Sequence, residues 1–229
     1  SDFKNKDESV KETNIKIGTS KKNSFNFANF VVKTFTGGYG TICYQFFLDG
    51  ELIKEFSNKG KENSIKVKKG GNSFVWDMKY PGAKRLDNMG LWGADFSGAK
   101  TVPGDYIVKL SVNDSELTQD FTIHKDPTSE GSIEDIKAQF EFVNEINSVV
   151  DEAHNAIENI RKIKKDLTKF QSDYADDESA KNLINESKLI LESIDLIENE
   201  LYQTKNQSNQ DPLNYGVRLT NNLGNLNSA

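Results

Sequence analysis

The sequence predicts an α+β chain in two parts, an antiparallel β-sandwich followed by a long antiparallel helical hairpin of coiled-coil character. Three observations carry this. Up to Asp126-Pro127, glycines punctuate short runs rich in Val, Ile, Phe and Tyr. Beyond that point only Gly131 interrupts the chain until Gly216. Apolar residues there recur at steps of three and four on both sides of one polar break, which is a helical period. The expected layout is a linker or frayed entry over 1–23, the sandwich over 24–126, the hairpin over 127–206 and a tail over 207–229 that packs back.

Strands are expected near 25–35, 41–49, 51–57, 63–68, 73–78, 105–113 and 117–124. Asp49-Gly50 is the strongest hairpin signal, because both central positions of a type I′ turn need positive φ. Asn113-Asp114-Ser115 links the last two strands in the same manner. Residues 70–83, GGNSFVWDMKYPGA, hold the most information. A turn precedes an apolar strand that Tyr80-Pro81-Gly82 ends. Within it Phe74, Trp76 and Met78 share one face by period-two alternation. Tyr106, Val108, Leu110 and Val112 repeat the pattern, and Phe121 and Ile123 continue it on the neighbouring strand. Phe74, Trp76, Tyr106 and Phe121 are therefore expected in the sandwich core.

Ser132-Ile133-Glu134-Asp135 opens the first helix with a capping serine and acids in the first turn, where they complement the helix dipole. Its seam runs Ile133, Ile136, Phe140, Val143, Ile146, Val150, Ala153, Ile157, Ile160, Ile163, Leu167 and Phe170. Some 38 residues of helix would reach roughly 57 Å at 1.5 Å per residue. Ser172 to Asp177 breaks it. The second seam reads Ala180, Leu183, Ser187, Ile190, Ile194, Ile197 and Leu201, over about 27 residues of shorter helix. Two such helices bury their seams against each other. Phe140, Ile157, Ile160, Ile194 and Ile197 are expected in that core.

Composition narrows the function. The net charge of −6 divides into +4 over residues 1–125 and −10 over 126–229. An acidic half argues against a nucleic-acid partner, since phosphate binding needs a basic surface. No stretch approaches the roughly 18 apolar residues of a membrane span. The chain begins at Ser1 without a methionine, which suggests a processed or excised fragment. Cys43 is the only cysteine and lies in an apolar run, so a buried thiol is expected. With His124 and His154 the only histidines, no Cys/His zinc site is expected.

Candidate sites are few, and no catalytic, metal or cofactor-binding residue is assigned. Trp92, flanked by Gly90 and Gly93, reads as a structural plug or as a ligand or partner surface. Tyr39 and Tyr80 join Trp92 in a possible sugar-stacking platform. Asp77 and Asp95 lack any spacing that would mark the paired carboxylates of glycoside hydrolysis. Asp173, Asp176, Asp177 and Glu178 lack the calcium-loop pattern and suit a helix cap. His154 is placed on the polar side of the helix. The long seam carries a second option: because the first helix outruns the second, an unpaired strip is available for a partner or another copy.

Several anchors occur in order: GGNSFVWDMKYPGA, Leu91-Trp92, Pro103-Gly104-Asp105-Tyr106, Thr118-Gln119-Asp120-Phe121, Asp126-Pro127, Gln139-Phe140, Asn155-Ala156-Ile157 with Ile160-Arg161, and Asp211-Pro212-Leu213-Asn214-Tyr215 leading to Asn221-Asn222-Leu223. This order resembles the C-terminal region of bacterial sortilin-like β-propeller proteins often labelled BNR-repeat glycosyl hydrolases. The resemblance implies an Ig-like sandwich followed by a helical hairpin. It also implies an extracytoplasmic location: periplasmic, outer-membrane associated or secreted. The implied function is a non-catalytic accessory module that seats against upstream propeller domains and mediates protein–protein assembly. The alternative is a carbohydrate-binding module of a glycoside-hydrolase-like protein. Two positions depart from the family: Ser73 stands where it often has Arg, and Thr128 follows the Asp-Pro pair where Arg is usual. No propeller repeat is present, so no propeller activity carries over.

Overall fold

A computed structural model describes residues 14–15, 30–36, 41–60, 63–68, 70–113, 115–208 and 210–227. The fold is α+β. Strands β1 (Asn14–Ile15), β2 (Phe30–Thr36) and β5 (Gly70–Trp76) form one antiparallel sheet in the order β1-β2-β5. Strands β3 (Ile42–Leu48), β4 (Glu51–Ser57), β6 (Gly104–Val112) and β7 (Ser115–Ile123) form a four-stranded antiparallel sheet in the order β4-β3-β6-β7. Three helices follow: α1 (Ile133–Asp173), α2 (Lys181–Leu201) and α3 (Leu219–Asn227).

Local chemistry accounts for these elements. Asp49 and Gly50 adopt φ of 50° and 82°, as their hairpin requires. Asn113 takes φ 51° at the β6–β7 turn, and its side chain accepts from the Thr41 amide at 3.1 Å. At the start of α1, Ser132 Oγ accepts from the Asp135 amide at 3.0 Å, and the Asp135 carboxylate accepts from the Ser132 amide at 2.8 Å. This reciprocal box satisfies two helix-end donors and holds the Asp135 carboxyl below its usual range. Asp177 likewise caps the 3₁₀ turn Glu178–Ala180 through the Ser179 amide at 2.8 Å, and that turn leads into α2.

The chain divides into two compact units whose boundaries depart from the sequence expectation. The β unit comprises residues up to Pro81 together with Ala99–Phe140. The helical unit comprises Gly82–Gly98 and Glu141–Ala229. Thus the loop after β5 belongs with the helices, and the first two turns of α1 belong with the sheets. Residues 63–68 form no strand beyond an isolated Ser57–Ser64 bridge. Asn14–Ile15, inside the expected linker, instead pairs with β2. Residues 25–29 of the first expected strand lie outside the described residues.

The β-unit core is aromatic and matches the predicted faces. Trp76 is fully buried and stacks on Phe46 with centroids 4.1 Å apart. Phe74, half-buried, stacks on Tyr44 at 4.8 Å. Tyr106 and Phe121 are buried and stack at 5.7 Å. Rings from β5 thereby fill the face that β3 and β6 present, in the offset and edge geometries their quadrupoles favour. Phe140 does not join a helical seam. Its ring meets the edge of Tyr80 at 4.8 Å within the β unit. Cys43 also departs from expectation: it alternates with buried Ile42 and Tyr44 and sits partly exposed on the opposite face of β3. Partial burial, aided by Glu55, still pushes its thiol up to about 11.

Candidate interaction surface

The helical unit is built around a strap, residues 82–98, that has no regular structure of its own. Buried irregular backbone must find hydrogen-bond partners, and here side chains of the helices supply them. Asp151 of α1 accepts from the Lys84 amide at 2.5 Å, and Asn147 donates to the Ser97 carbonyl at 3.1 Å. Tyr202, at the end of α2, accepts from the Gly90 amide at 2.8 Å, while Asn206 donates to the Gly90 carbonyl at 2.9 Å. Asn221 of α3 takes both backbone groups of Trp92, at 2.8 and 2.9 Å. The tail therefore does pack back, and its target is the strap.

Close approach explains two glycines. A Cβ on Gly224 would lie 2.6 Å from Ala94 Cβ and 2.7 Å from the Phe96 ring, and one on Gly90 would lie 2.6 Å from the Ser208 carbonyl. Phe96, Ala83, Ile146 and Val150 form the apolar centre beneath the strap. His154 is fully buried there, against the expectation that it sits on the polar side of α1. The strap is what covers it. Its Nδ1 lies 2.5 Å from the Lys84 carbonyl, its ring meets the edge of Phe96 at 5.4 Å, and Nε2 has no partner among the described residues. Burial outweighs the Lys84 carbonyl and holds the imidazole below its ordinary pKa, hence neutral.

The α1–α2 pair is antiparallel, because the partners of Arg161, Lys164 and Gln171 are Glu198, Asp195 and Ser187 in descending order. Ile157 and Ile160 are buried in α1 as predicted, and Ile194 is half-buried in α2. The α2 seam is nevertheless rotated from the predicted one. It runs Ala180, Ile184, Ser187, Leu191, Ile194, Glu198 and Leu201, with a carboxylate at a seam position. Glu198 is buried and accepts from Arg161 Nε at 2.9 Å and Lys164 Nζ at 2.5 Å. Arg161 also lies over the Tyr202 ring at 5.7 Å. Burial opposes the Lys164 charge, but Asp195 and Glu198 outweigh it and hold the ammonium above its ordinary range. A buried carboxylate needs such partners, and with Glu198 inside, the seam keeps Ala180, Ser187, Ile194 and Leu201 but takes Ile184, Leu191 and Glu198 in place of Leu183, Ile190 and Ile197.

That rotation corrects the placement of Ile197. It is 53% exposed instead of buried, and Leu183 and Ile190 follow it to the surface. These three, seven residues apart, form one stripe. Leu189 and Leu196 are exposed further round the same helix. On α1, Ile163 is exposed and the Phe170 and Tyr174 rings lie 5.1 Å apart.

The Trp92 ring is 46% exposed although its backbone is pinned, so it belongs to the helical unit and is a surface group. Tyr80 is half-buried in the β unit on Phe140, and Tyr39 lies outside the described residues. Asp77 accepts from the Lys79 amide at 3.2 Å and pairs with Lys54 at 3.6 Å. Asp95 caps its own turn through Ser97 at 2.8 Å. Among the described residues no cluster of His, Cys, Asp or Glu has metal-site geometry, and no helix is long and apolar enough to cross a membrane. Comparison with protein-family models, with curated proteins and with solved structures finds no match for this chain.

Proposed function

We propose that this chain is a non-catalytic docking module of a larger extracytoplasmic protein, serving protein–protein assembly through its helical hairpin. The observation that carries the reading is the surface of α2. Leu183, Leu189, Ile190, Leu196 and Ile197 are all exposed on a helix of 21 residues. Single exposed leucines need no explanation, whereas five large apolar side chains exposed on one helix, three of them in a single stripe, mark an interaction surface. The two sheets are read as an Ig-like sandwich that seats against upstream propeller domains, on the strength of the sequence resemblance. Asp77 and Asp95 each accept from a backbone amide of their own turn, as turn-capping carboxylates do.

A photoreactive residue at position 196, introduced into the protein in its native host, tests the assembly reading. Adducts are expected from position 196 and not from position 118 on the exposed, polar strand β7. Absence of adducts at 196, or equal adducts from both, overturns it. Carbohydrate binding is the second reading, favoured by the half-exposed Trp92 ring on a backbone fixed by Asn221. Saturable glycan binding that is lost in Trp92→Ala would support it; no binding across a glycan panel removes it.

A further inference from the structure

The hairpin has two unlike flanks. On one, Arg161 and Lys164 meet Asp195 and Glu198. In an antiparallel pair, the side of α1 carrying Arg161 faces the same way as the side of α2 carrying Asp195. The residues a third of a turn to the other side of each seam therefore share the opposite flank. These are Ile163 and Phe170 on α1, with Leu183, Ile190 and Ile197 on α2. Asp166, Asp173, Glu186 and Glu200 border them, all exposed, and among the described residues Glu200 pairs with Arg218 at 3.9 Å. By helical position Arg161 and Lys165 of α1 and Lys181 and Lys188 of α2 lie on the other flank, while Lys162 and Lys169 lie on the outer face of α1, one turn from Asp166 and Asp173 and further than these from Ile163.

We infer that this apolar flank docks an amphipathic helix from a partner protein, one whose apolar ridge is edged by Lys or Arg. The inference rests on the assembly reading and adds the chemistry of the partner. Charge decides between occupants. A second copy would bring an acidic rim against an acidic rim within a half-chain of net charge −10, and like charges facing each other across an interface suppress that pairing. A basic rim meets the same carboxylates favourably, while Ile163, Ile190 and Ile197 receive the apolar ridge in the helix-in-groove mode.

The test uses the full chain and two designed helical peptides of about 15 residues, long enough to run from Leu183 to Ile197 at 1.5 Å per residue. One has a leucine ridge edged by lysine; the other replaces lysine with glutamate. Calorimetry is expected to show saturable binding of the lysine peptide, at least about tenfold tighter than the glutamate peptide at low salt and less so as salt screens the rim. Ile190→Ser with Ile197→Ser should abolish it, and circular dichroism should show the helices retained, because both side chains are already about half exposed. Glu192→Gln, off this flank, should leave it unchanged. Equal binding of both peptides, binding of neither, or binding that survives the double substitution overturns the inference. A concentration-dependent dimer that the double substitution disperses assigns the flank to a second copy and overturns it too. Crosslinks from position 196 to a partner lacking any basic helix would leave the assembly reading standing and remove this one.

Discussion

The β unit and the helical unit are held together by different physics. In the β unit, rings from β3, β5, β6 and β7 stack on one another, and the cluster is built of apolar and aromatic side chains. In the helical unit the apolar centre is small, and much of the order comes from side chains that hydrogen-bond a strap's backbone and from a carboxylate buried between two cations. Burial of rings is non-directional, so the first unit tolerates imprecise polar geometry. The second depends on directional hydrogen bonds to the strap, since an orphaned buried polar group costs about 1–3 kcal/mol.

That contrast is open to breakage in measurable ways. Each unit contains one tryptophan, so Trp92→Phe leaves Trp76 to report the β unit and Trp76→Phe leaves Trp92 to report the helical unit. The largest effect is expected for Trp76→Ala, at about 3–5 kcal/mol by urea unfolding, because the ring is fully buried. A loss below about 1 kcal/mol would remove it from the core.

Glu198→Ala comes next, at about 2–3 kcal/mol, since Arg161 and Lys164 would keep their charges at the seam without their acceptor. Because both cations are partly exposed, the full cost of an unpaired buried charge is not expected. Gly224→Ala should cost about 1–3 kcal/mol through overpacking against Ala94 and Phe96. Hydrogen exchange should then rise in α3 and in the strap while β6 and β7 keep their protection. Uniform loss of protection across both units would contradict a locally stitched tail.

His154 supplies a pH dependence to the helical unit alone. Its folded pKa lies below the ordinary 6.5 because burial disfavours the imidazolium. The unfolded chain binds the proton first as pH falls. The stabilisation is therefore complete above about 6.5 and declines below it, toward the lower folded pKa. The Trp92-reported midpoint should drop between about pH 7.5 and about pH 5.5, and His154→Gln should flatten that change. An unchanged slope would show that the imidazole does not titrate on unfolding. The smallest effect is expected for Ile197→Ser, within about 0.5 kcal/mol, as at other exposed positions. A loss of several kcal/mol would restore Ile197 to the seam.

Much was legible from residue pattern. Period-two alternation placed Phe74, Trp76, Tyr106 and Phe121 in one core, and Asp49-Gly50 and Asn113 named their turns through positive φ. Ser132 and Asp177 announced helix starts, and Ile157 and Ile160 their buried face. These are local or periodic signals, so neighbouring residues suffice to read them. Tertiary structure alone decided the rest. That 82–98 joins the helices depends on polar side chains brought from 147, 202, 206 and 221, which sequence separation hides. The turn of α2 depends on a carboxylate meeting two cations on another helix, and a hydrophobic period cannot register that pairing. For this reason Ile197, apolar and correctly spaced, faces outward while Glu198 lies inside.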